Sequence, residues 1–303
     1  MSAIAPGPDH PHHGWSPLPM RPRRTWANGA GVAICPILSL ESHEDTVPEG
    51  WPQIAWLAGG VGMRPDPNIA RIGARDYGLR IGFFRLVDDL VAAGLKFAVA
   101  IDAMTAERHP SLIDFARAHG AEFLAHGLSV NRPLHDAMSE ADERSYVAET
   151  QRRLLACGVQ ARGWFGIEYA ESSRTPVLVA EAGYDFLCDW CNDEQPYAMT
   201  VGRVLTALPL LADLDDSFCF ASPRGIAPPS YAARLVEAAQ ALAIDGRRNA
   251  RVMAWHMRPF LSGQPFREVH VAAALAAIGR QAGIWSAHPS EIVDAWRKLE
   301  TAA

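Results

Sequence analysis

The segment VAICPILSL, residues 32–40, is an unbroken run of apolar and small side chains that ends at the polar residues Glu41 and Ser42. An apolar run of this length predicts a strand that is buried on both faces, as in a parallel sheet. Comparable runs follow at KFAVAID (96–102), EFLAHG (122–127) and RVMAWHM (251–257). Four further strands are predicted within the segments ARGWFG, YDFLCDW, VLTALP and GIWSA.

Helical patterns separate these strands. RIGFFRLVDDLVAAG (80–94) ends at Gly94, a residue typical of helix C-termini, and residues 139–158 begin with Ser139 as a capping residue. Seven or eight β-α units without a break in composition predict one parallel (β/α) barrel over residues 21–303. Residues 1–20 are predicted to be a disordered lead-in, and residues 42–79 a long insertion.

The composition excludes several classes of function. The net charge of −6 gives no basic surface for nucleic acid or for an anionic membrane. No apolar stretch approaches the ~20 residues of a membrane span. The N-terminus does not read as an export signal, and the five cysteines are an odd number, so free thiols and a cytoplasmic location are expected.

In a (β/α) barrel the chemistry gathers at the C-terminal ends of the strands. Two or three histidines and three or four carboxylates are therefore expected to meet at one mouth. The residues at these strand ends are Glu41, His43, Asp102, His126, Trp164 to Glu168, Asp189, Pro209 and His256.

Several phrases in the sequence resemble the polysaccharide deacetylase family. RPRRTWANGAGVAICPILSLES (21–42) comes first, and RDYGLRIGFFRL (75–86), AGYDFLCDWCNDEQPY (182–197), TALPLLADLDD (206–216) and HMRPFLSGQPFR (256–267) follow in order. The closer likeness is to the allantoinase-like, cytosolic branch, which contains urate-catabolism and cyclic-imide hydrolases. The resemblance implies a distorted parallel (β/α) barrel of the NodB-homology type that hydrolyses carbon–nitrogen bonds.

The resemblance also implies positions for the catalytic groups. In the metal-dependent members, an aspartate pair after the first strand supplies a general base and one ligand, an H-x-x-x-H loop supplies two ligands, and a late histidine is the general acid. Here Glu41 and His43 occupy the first position, His126 is followed by Val130 at the second loop ligand, and His256 is the late histidine. One divalent ion, zinc first, held by Glu41, His43 and His126 is one interpretation; a site without metal is the other.

The residues themselves suggest roles. Glu41 could activate a water molecule for attack on a carbonyl, because burial at a barrel mouth would raise its pKa. His256 could protonate a leaving nitrogen, because imidazole titrates near neutral pH. Arg75 and Arg80 have guanidinium groups that suit a substrate carboxylate or imide oxygen, although they could instead be structural. The other substrate-binding candidates are Tyr77, Trp164, Glu168, Asn192 and Asp193.

The sequence therefore predicts a hydrolase of a non-peptide C–N bond in a small amide, cyclic amide or imide. One alternative is a metal-dependent N-deacetylase of acetylated saccharides. Another is an inactive barrel that serves as a binding or scaffold protein. A small-molecule substrate is expected, without nucleic acid or membrane. A homo-oligomer is expected as well, with Trp51 and Trp56 of the insertion as a possible interface.

Overall fold

The computed structural model describes residues 11–51, 66–220 and 225–301. Within them, nine strands form one curled sheet. The strands are β1 (Val32–Leu40), β2 (Ala98–Ile101), β3 (Glu122–Ala125), β4 (Gly163–Trp164), β5 (Phe186–Leu187), β6 (Tyr197–Ala198), β7 (Thr206–Ala207), β8 (Arg251–Met257) and β9 (Ile284–Ser286).

The sheet runs in the order β6-β7-β5-β4-β3-β2-β1-β8, and β9 also pairs with β1. All described pairings are parallel except β6 with β7. The other edge of β8 contacts the segment after β7 through a hydrogen bond from Leu211 N to Ala254 O, and the segment before β6 through one from Val252 N to Glu194 O. The predicted distorted parallel barrel is confirmed.

Helices cover the outside of this sheet. They are α1 (Ile69–Tyr77), α2 (Phe83–Ala92), α3 (Ala103–Arg108), α4 (Pro110–Ala118), α5 (Glu140–Ala156), α6 (Thr175–Glu181), α7 (Asp216–Phe220), α8 (Pro228–Asp245), α9 (Pro259–Ser262), α10 (Pro265–Gly279) and α11 (Pro289–Thr301). Ser139 caps α5 as predicted, because its side chain accepts a hydrogen bond from Asp142 N.

The helix predicted at 80–94 begins earlier than the sequence suggests. A π-helical turn, Gly78–Gly82, joins α1 to α2, so that helix already starts at Ile69, inside the predicted insertion. Gly78 and Gly82 have no room for a side chain, since a Cβ would overlap the backbone of Phe260 and of Pro259. These glycines therefore let α9 approach closely, and that approach places Arg75 of α1 beside the ring of Phe260.

The apolar side chains of β1 divide between two layers. Ile34 and Leu38 pack between the sheet and the helices, whereas Cys35 and Ile37 face the barrel interior. This alternation is the two-residue period of a strand. It explains why a continuous apolar run was needed, because both faces of the strand are buried.

Part of the predicted N-terminal lead-in contacts the barrel. The His12 ring lies 2.7 Å from Ser173 O, and Thr200 N donates to His12 O. Residues 1–10 lie outside the described residues, as do residues 52–65 of the insertion and with them Trp56. Among the helices of the described ranges, none is long and apolar enough to cross a membrane.

Candidate active site

Glu41 leaves the end of β1 and lies in the barrel mouth with both carboxylate oxygens occupied. Its Oε1 is 3.1 Å from His126 Nε2, and its Oε2 accepts a hydrogen bond from Arg75 Nη1. All three side chains are buried. Burial raises the pKa of Glu41, but Arg75 and the hydrogen bond from His126 outweigh it and hold that pKa well below its usual range. Glu41 is therefore an ionised anchor.

His126 follows β3, and both of its ring nitrogens are engaged. Nδ1 lies 2.5 Å from the carbonyl oxygen of Phe165, which can only accept a hydrogen bond. The other nitrogen, Nε2, faces the Glu41 carboxylate and shares a hydrogen bond with it. Neither nitrogen offers a free lone pair to a substrate or a water molecule.

His43 stands near this pair without joining it. Its Nδ1 is 3.1 Å from Asn131 Oδ1, and its Nε2 is buried with no hydrogen-bond partner among the described residues. Burial and the Arg75 guanidinium lower the pKa of His43 to about 3. The ring is neutral at pH 7.

A second carboxylate–histidine pair lies across the mouth. His256, near the end of β8, has its Nδ1 3.2 Å from Asp215 Oδ2, and the centroids of its ring and the His126 ring are 6.3 Å apart. The Nε2 of His256 is buried and has no partner in the described part of the chain. Burial and Arg258 lower the pKa of His256 to about 4. At pH 7 this nitrogen carries a free lone pair.

Arg258 braces this second pair. Its Nη1 donates to Asp215 Oδ1 at 2.6 Å, and its Nη2 donates to Glu168 Oε2 at 3.2 Å. Tyr169 also donates to Asp215, at 2.7 Å. Burial raises the pKa of Asp215, but Arg258 and His256 outweigh it and leave that pKa far below its usual range.

Glu168 connects the two halves. Its Oε1 is 3.9 Å from Arg75 Nη2, so the ion pairs form a chain from one histidine to the other. This ion-pair chain consists of His126, Glu41, Arg75, Glu168, Arg258, Asp215 and His256. Glu168 and Tyr169 have φ of 55° and 59°. The left-handed region costs roughly 1–2 kcal/mol for such residues, so the segment is strained where it meets the arginines.

Arg75 presents one unused edge. Its Nη1 binds Glu41, whereas Nε and Nη2 are buried and donate no hydrogen bond to any described residue. Glu168 Oε1, beside that edge, is also without a hydrogen-bond donor there. A free donor edge and a free acceptor therefore lie side by side in the mouth.

Five of the predicted substrate-binding residues lie elsewhere. Tyr77 donates to Gly263 O and Arg80 is exposed. Trp164 packs outward against Tyr146 and Tyr184 instead of walling the mouth, because strand alternation turns Phe165, one residue later, toward both histidine rings. Asn192 and Asp193 line a separate cavity of about 580 Å³, where Asp193 pairs with Arg21. Of the substrate-binding candidates, the structure brings only Arg75 and Glu168 to the histidines.

Sequence reasoning missed Arg258 and Asp215. Both stand in the phrases that carry the family resemblance, HMRPF and ADLDD, and two adjacent carboxylates after a strand were the available signal. Their pairing across 43 positions was not visible from spacing.

The three candidate metal ligands do not fit a divalent ion in this arrangement. The Arg75 cation already occupies Glu41, and His126 uses both nitrogens. Val130, at the expected second loop ligand, is fully buried and packs against Ile167. No group of three His, Cys, Asp or Glu side chains within the described ranges could hold a metal ion. A second cation would be repelled by the guanidinium.

The fold is similar to that of several solved structures. PuuE allantoinase matches with a TM-score of 0.80 and 22% identity, over 92% of this chain and 94% of that chain. A protein of Pseudomonas aeruginosa PAO1 assigned as a polysaccharide deacetylase matches with a TM-score of 0.80 and 21% identity, over 92% and 95% of the two chains. One from Mycobacterium smegmatis with the same assignment matches with 0.75 and 23%, over 92% and 94%.

No family profile and no curated protein matches the sequence. The structural likeness nevertheless extends over nearly the whole length of each chain. The chain therefore has the fold of the polysaccharide deacetylases and of PuuE allantoinase, which confirms the family resemblance at the level of the fold.

Proposed function

We propose that the protein hydrolyses a C–N bond in a small cyclic amide, imide or ureide, and that it does so without a metal ion. The observation that carries the proposal is the free Nε2 of His256, neutral at pH 7 and held by Asp215, across the mouth from the unused edge of Arg75. The fold shared with PuuE allantoinase supports it.

His256 moves the proton. Because its Nδ1 faces Asp215 and its Nε2 is unprotonated, the resting ring is a base that can take a proton from the attacking water. The imidazolium that forms then gives this proton to the leaving nitrogen, and Asp215 stabilises the charge meanwhile. The sequence suggested only the second of these steps.

Arg75 and Glu168 recognise the scissile group. The free guanidinium edge can polarise a carbonyl oxygen and stabilise the oxyanion, while Glu168 Oε1 can accept an N–H. An open-chain secondary amide is trans by about 2.5 kcal/mol or more, which puts its C=O and N–H on opposite sides. A ring forces them onto one side, so this adjacent donor and acceptor favour a cyclic substrate.

Glu41 takes a different role from the one expected. Both of its oxygens are occupied and its pKa is low, so it is a poor base for water. Its negative charge instead fixes the Arg75 guanidinium and the His126 ring. We assign it, with His126, to holding the oxyanion donors in place.

The two alternative functions would require different features of the site. A saccharide N-deacetylase of the metal-dependent type would need a rebuilt ligand set and would act on a trans acetamido group. An inactive scaffold would not need His256 to be held by Asp215 with its second nitrogen free. The homo-oligomer and the cytoplasmic location stay predictions from the sequence, which size-exclusion chromatography with light scattering and cell fractionation can test.

The test is a panel of hydantoins, cyclic imides, open-chain amides and acetylated amino sugars, assayed with protein stripped by a chelator. We expect turnover of the cyclic compounds alone. Turnover confined to acetylated sugars, and only with added metal, would refute the proposal.

A further inference from the structure

Two carboxyl groups outside the ion-pair chain touch each other beside the mouth. Asp189 follows β5 and is buried, and Glu171 is half-buried at the end of the loop that follows β4. Their side chains lie close enough for each carboxyl to act directly on the pKa of the other. Glu171 Oε1 and Asp189 Oδ2 are covered and receive no hydrogen bond from another described group. A proton shared between the two carboxyls would give these oxygens a donor.

This pair fastens one short segment at both ends. Asp189 Oδ1 accepts a hydrogen bond from Gly166 N at 2.6 Å, and Glu171 ends the same segment five residues later. A side chain at Gly166 would overlap Ala170 O, so the turn is tight as well. The carboxyl clamp, Glu171 with Asp189, thus closes the segment 166–171 into a loop.

The strained residues of the site lie inside that loop. Glu168 and Tyr169 have positive φ, and their side chains reach Arg258 and Asp215. A left-handed backbone at two such residues is unfavourable by itself and persists only where its surroundings enforce it. The carboxyl clamp ties the two ends of this strained segment together, in addition to the backbone hydrogen bonds from Tyr169 N to Gly166 O and from Ala170 N to Ile167 O.

The surroundings of the clamp favour retention of its proton. The charged or titratable groups that act on it are Glu143, Cys188, Cys191, Tyr197 and His126. Burial and the neighbouring Asp189 raise the pKa of Glu171 well above its usual range, and burial raises the pKa of Asp189 to about 7. The Trp190 side chain partly opposes the shift of the Glu171 pKa. Both shifts favour a proton shared between the two carboxyls.

We propose that Glu171 and Asp189 are positioning residues, which share one proton, close the loop 166–171 and thereby aim Glu168 and Tyr169 at the arginine and the His256 pair. Loss of the proton at alkaline pH leaves two facing carboxylates, which repel each other and loosen the loop. The catalytic consequence rests on the function proposed above.

The test compares Glu171→Gln with Glu181→Gln, a control at a surface ion pair with Arg144. The amide that Glu171→Gln introduces can donate to Asp189 at every pH and has no proton to lose. Asp102 and Asp216 also have a pKa near 7, raised mainly by burial, so only a difference between variants assigns the effect. The readouts are the infrared band of protonated carboxyl groups, hydrogen exchange of residues 166–171 and kcat as a function of pH.

We expect the wild type and Glu181→Gln to lose one protonated-carboxyl band, exchange protection of the loop, and kcat as the pH rises. The kcat should fall about tenfold for each pH unit beyond the midpoint. Glu171→Gln should lack that band, keep the protection and shift or remove the alkaline fall. If it matches the wild type in all three readouts, the clamp is refuted.

Should Glu171→Gln fail to fold, Asp189→Asn serves the same purpose, because its amide can donate to Glu171 while its oxygen still accepts from Gly166. An inactive wild type would refute the proposed function alone, since the infrared and exchange readouts need no turnover.

Discussion

The barrel mouth contains two carboxylate–histidine pairs that differ in one respect. Glu41 with His126 and Asp215 with His256 are each buried and each braced by an arginine, Arg75 or Arg258. In the first pair both histidine nitrogens are occupied, whereas in the second Nε2 has no partner among the described residues.

This difference separates a pair that supports the site from a pair that can transfer a proton. Proton transfer needs a nitrogen that can exchange its proton with water and substrate. Of the two histidines, His256 offers one, and its pKa near 4 leaves it unprotonated at pH 7. His126, which the deacetylase resemblance would make a metal ligand, serves here to hold Glu41. In the proposed mechanism, the unused edge of Arg75 supplies positive charge where a metal would otherwise act.

The largest effect should come from His256→Asn. Asparagine can keep a hydrogen bond to Asp215 but cannot transfer a proton, so kcat should fall by about 10²–10⁴-fold. Steady-state kinetics and the melting temperature check this, with His119→Asn, at a histidine bonded to its own helix, as the control. A kcat within about threefold of the wild type, a small change beside the effect of losing a general base, would mean that His256 is not the base.

Arg75→Met should lower kcat by about 10²–10³-fold, because an oxyanion donor is lost. It should also destabilise the fold by about 3–5 kcal/mol, since the buried Glu41 carboxylate loses its arginine partner. Adding Glu41→Gln should restore much of the free energy of unfolding, measured in urea, without restoring kcat. Joint recovery of stability and activity would make Arg75 purely structural.

His126→Asn should be milder for catalysis than either. The ring transfers no proton in this account, so we expect a fall in kcat of about tenfold from misplacement of Arg75, with a loss of stability. The order of the three kcat values tests the comparison of the two pairs. A fall in kcat as large as that of His256→Asn would show that Glu41 and His126 also take part directly in the reaction.

The smallest effect concerns how activity depends on pH below pH 7. Because the pKa of His256 is lowered to about 4, its base form persists below the usual histidine range. Activity should therefore hold between about pH 7 and pH 5 and fall through about pH 4.

The free energy of unfolding should also fall as the pH drops. The unfolded ring binds a proton near pH 6.5, so His256 favours unfolding as the pH drops from there toward 4. Proton NMR titration of the ring and kcat/KM against pH check this; a midpoint near 6.5 would contradict it.

The sequence predicted the long strands best. β1 and β8 have the bounds read from their apolar runs, because burial on both faces leaves a continuous signal. The start of α1 was missed, because the π-helical turn at Gly78 hides the continuity of the helix. The sequence left open whether Trp164 belongs to the core or to the pocket wall, because β4 is only two residues long, too short to show alternation.

The site was harder to read than the fold. The structure brings Glu41, His126 and His256 to one mouth, where strand ends converge by topology. Which nitrogen is free, and that an arginine occupies Glu41, depend on side-chain geometry that no motif encodes. Arg258 stands two residues from His256 in the sequence, yet its partners come from two other segments.

The most direct measurement is hydrolysis of a cyclic imide or hydantoin-type ureide by tag-free protein after exhaustive chelation, with metal content determined on the same sample. The account predicts undiminished turnover at substoichiometric metal in the wild type and its loss in His256→Asn. Turnover that disappears on chelation and returns with zinc would contradict it.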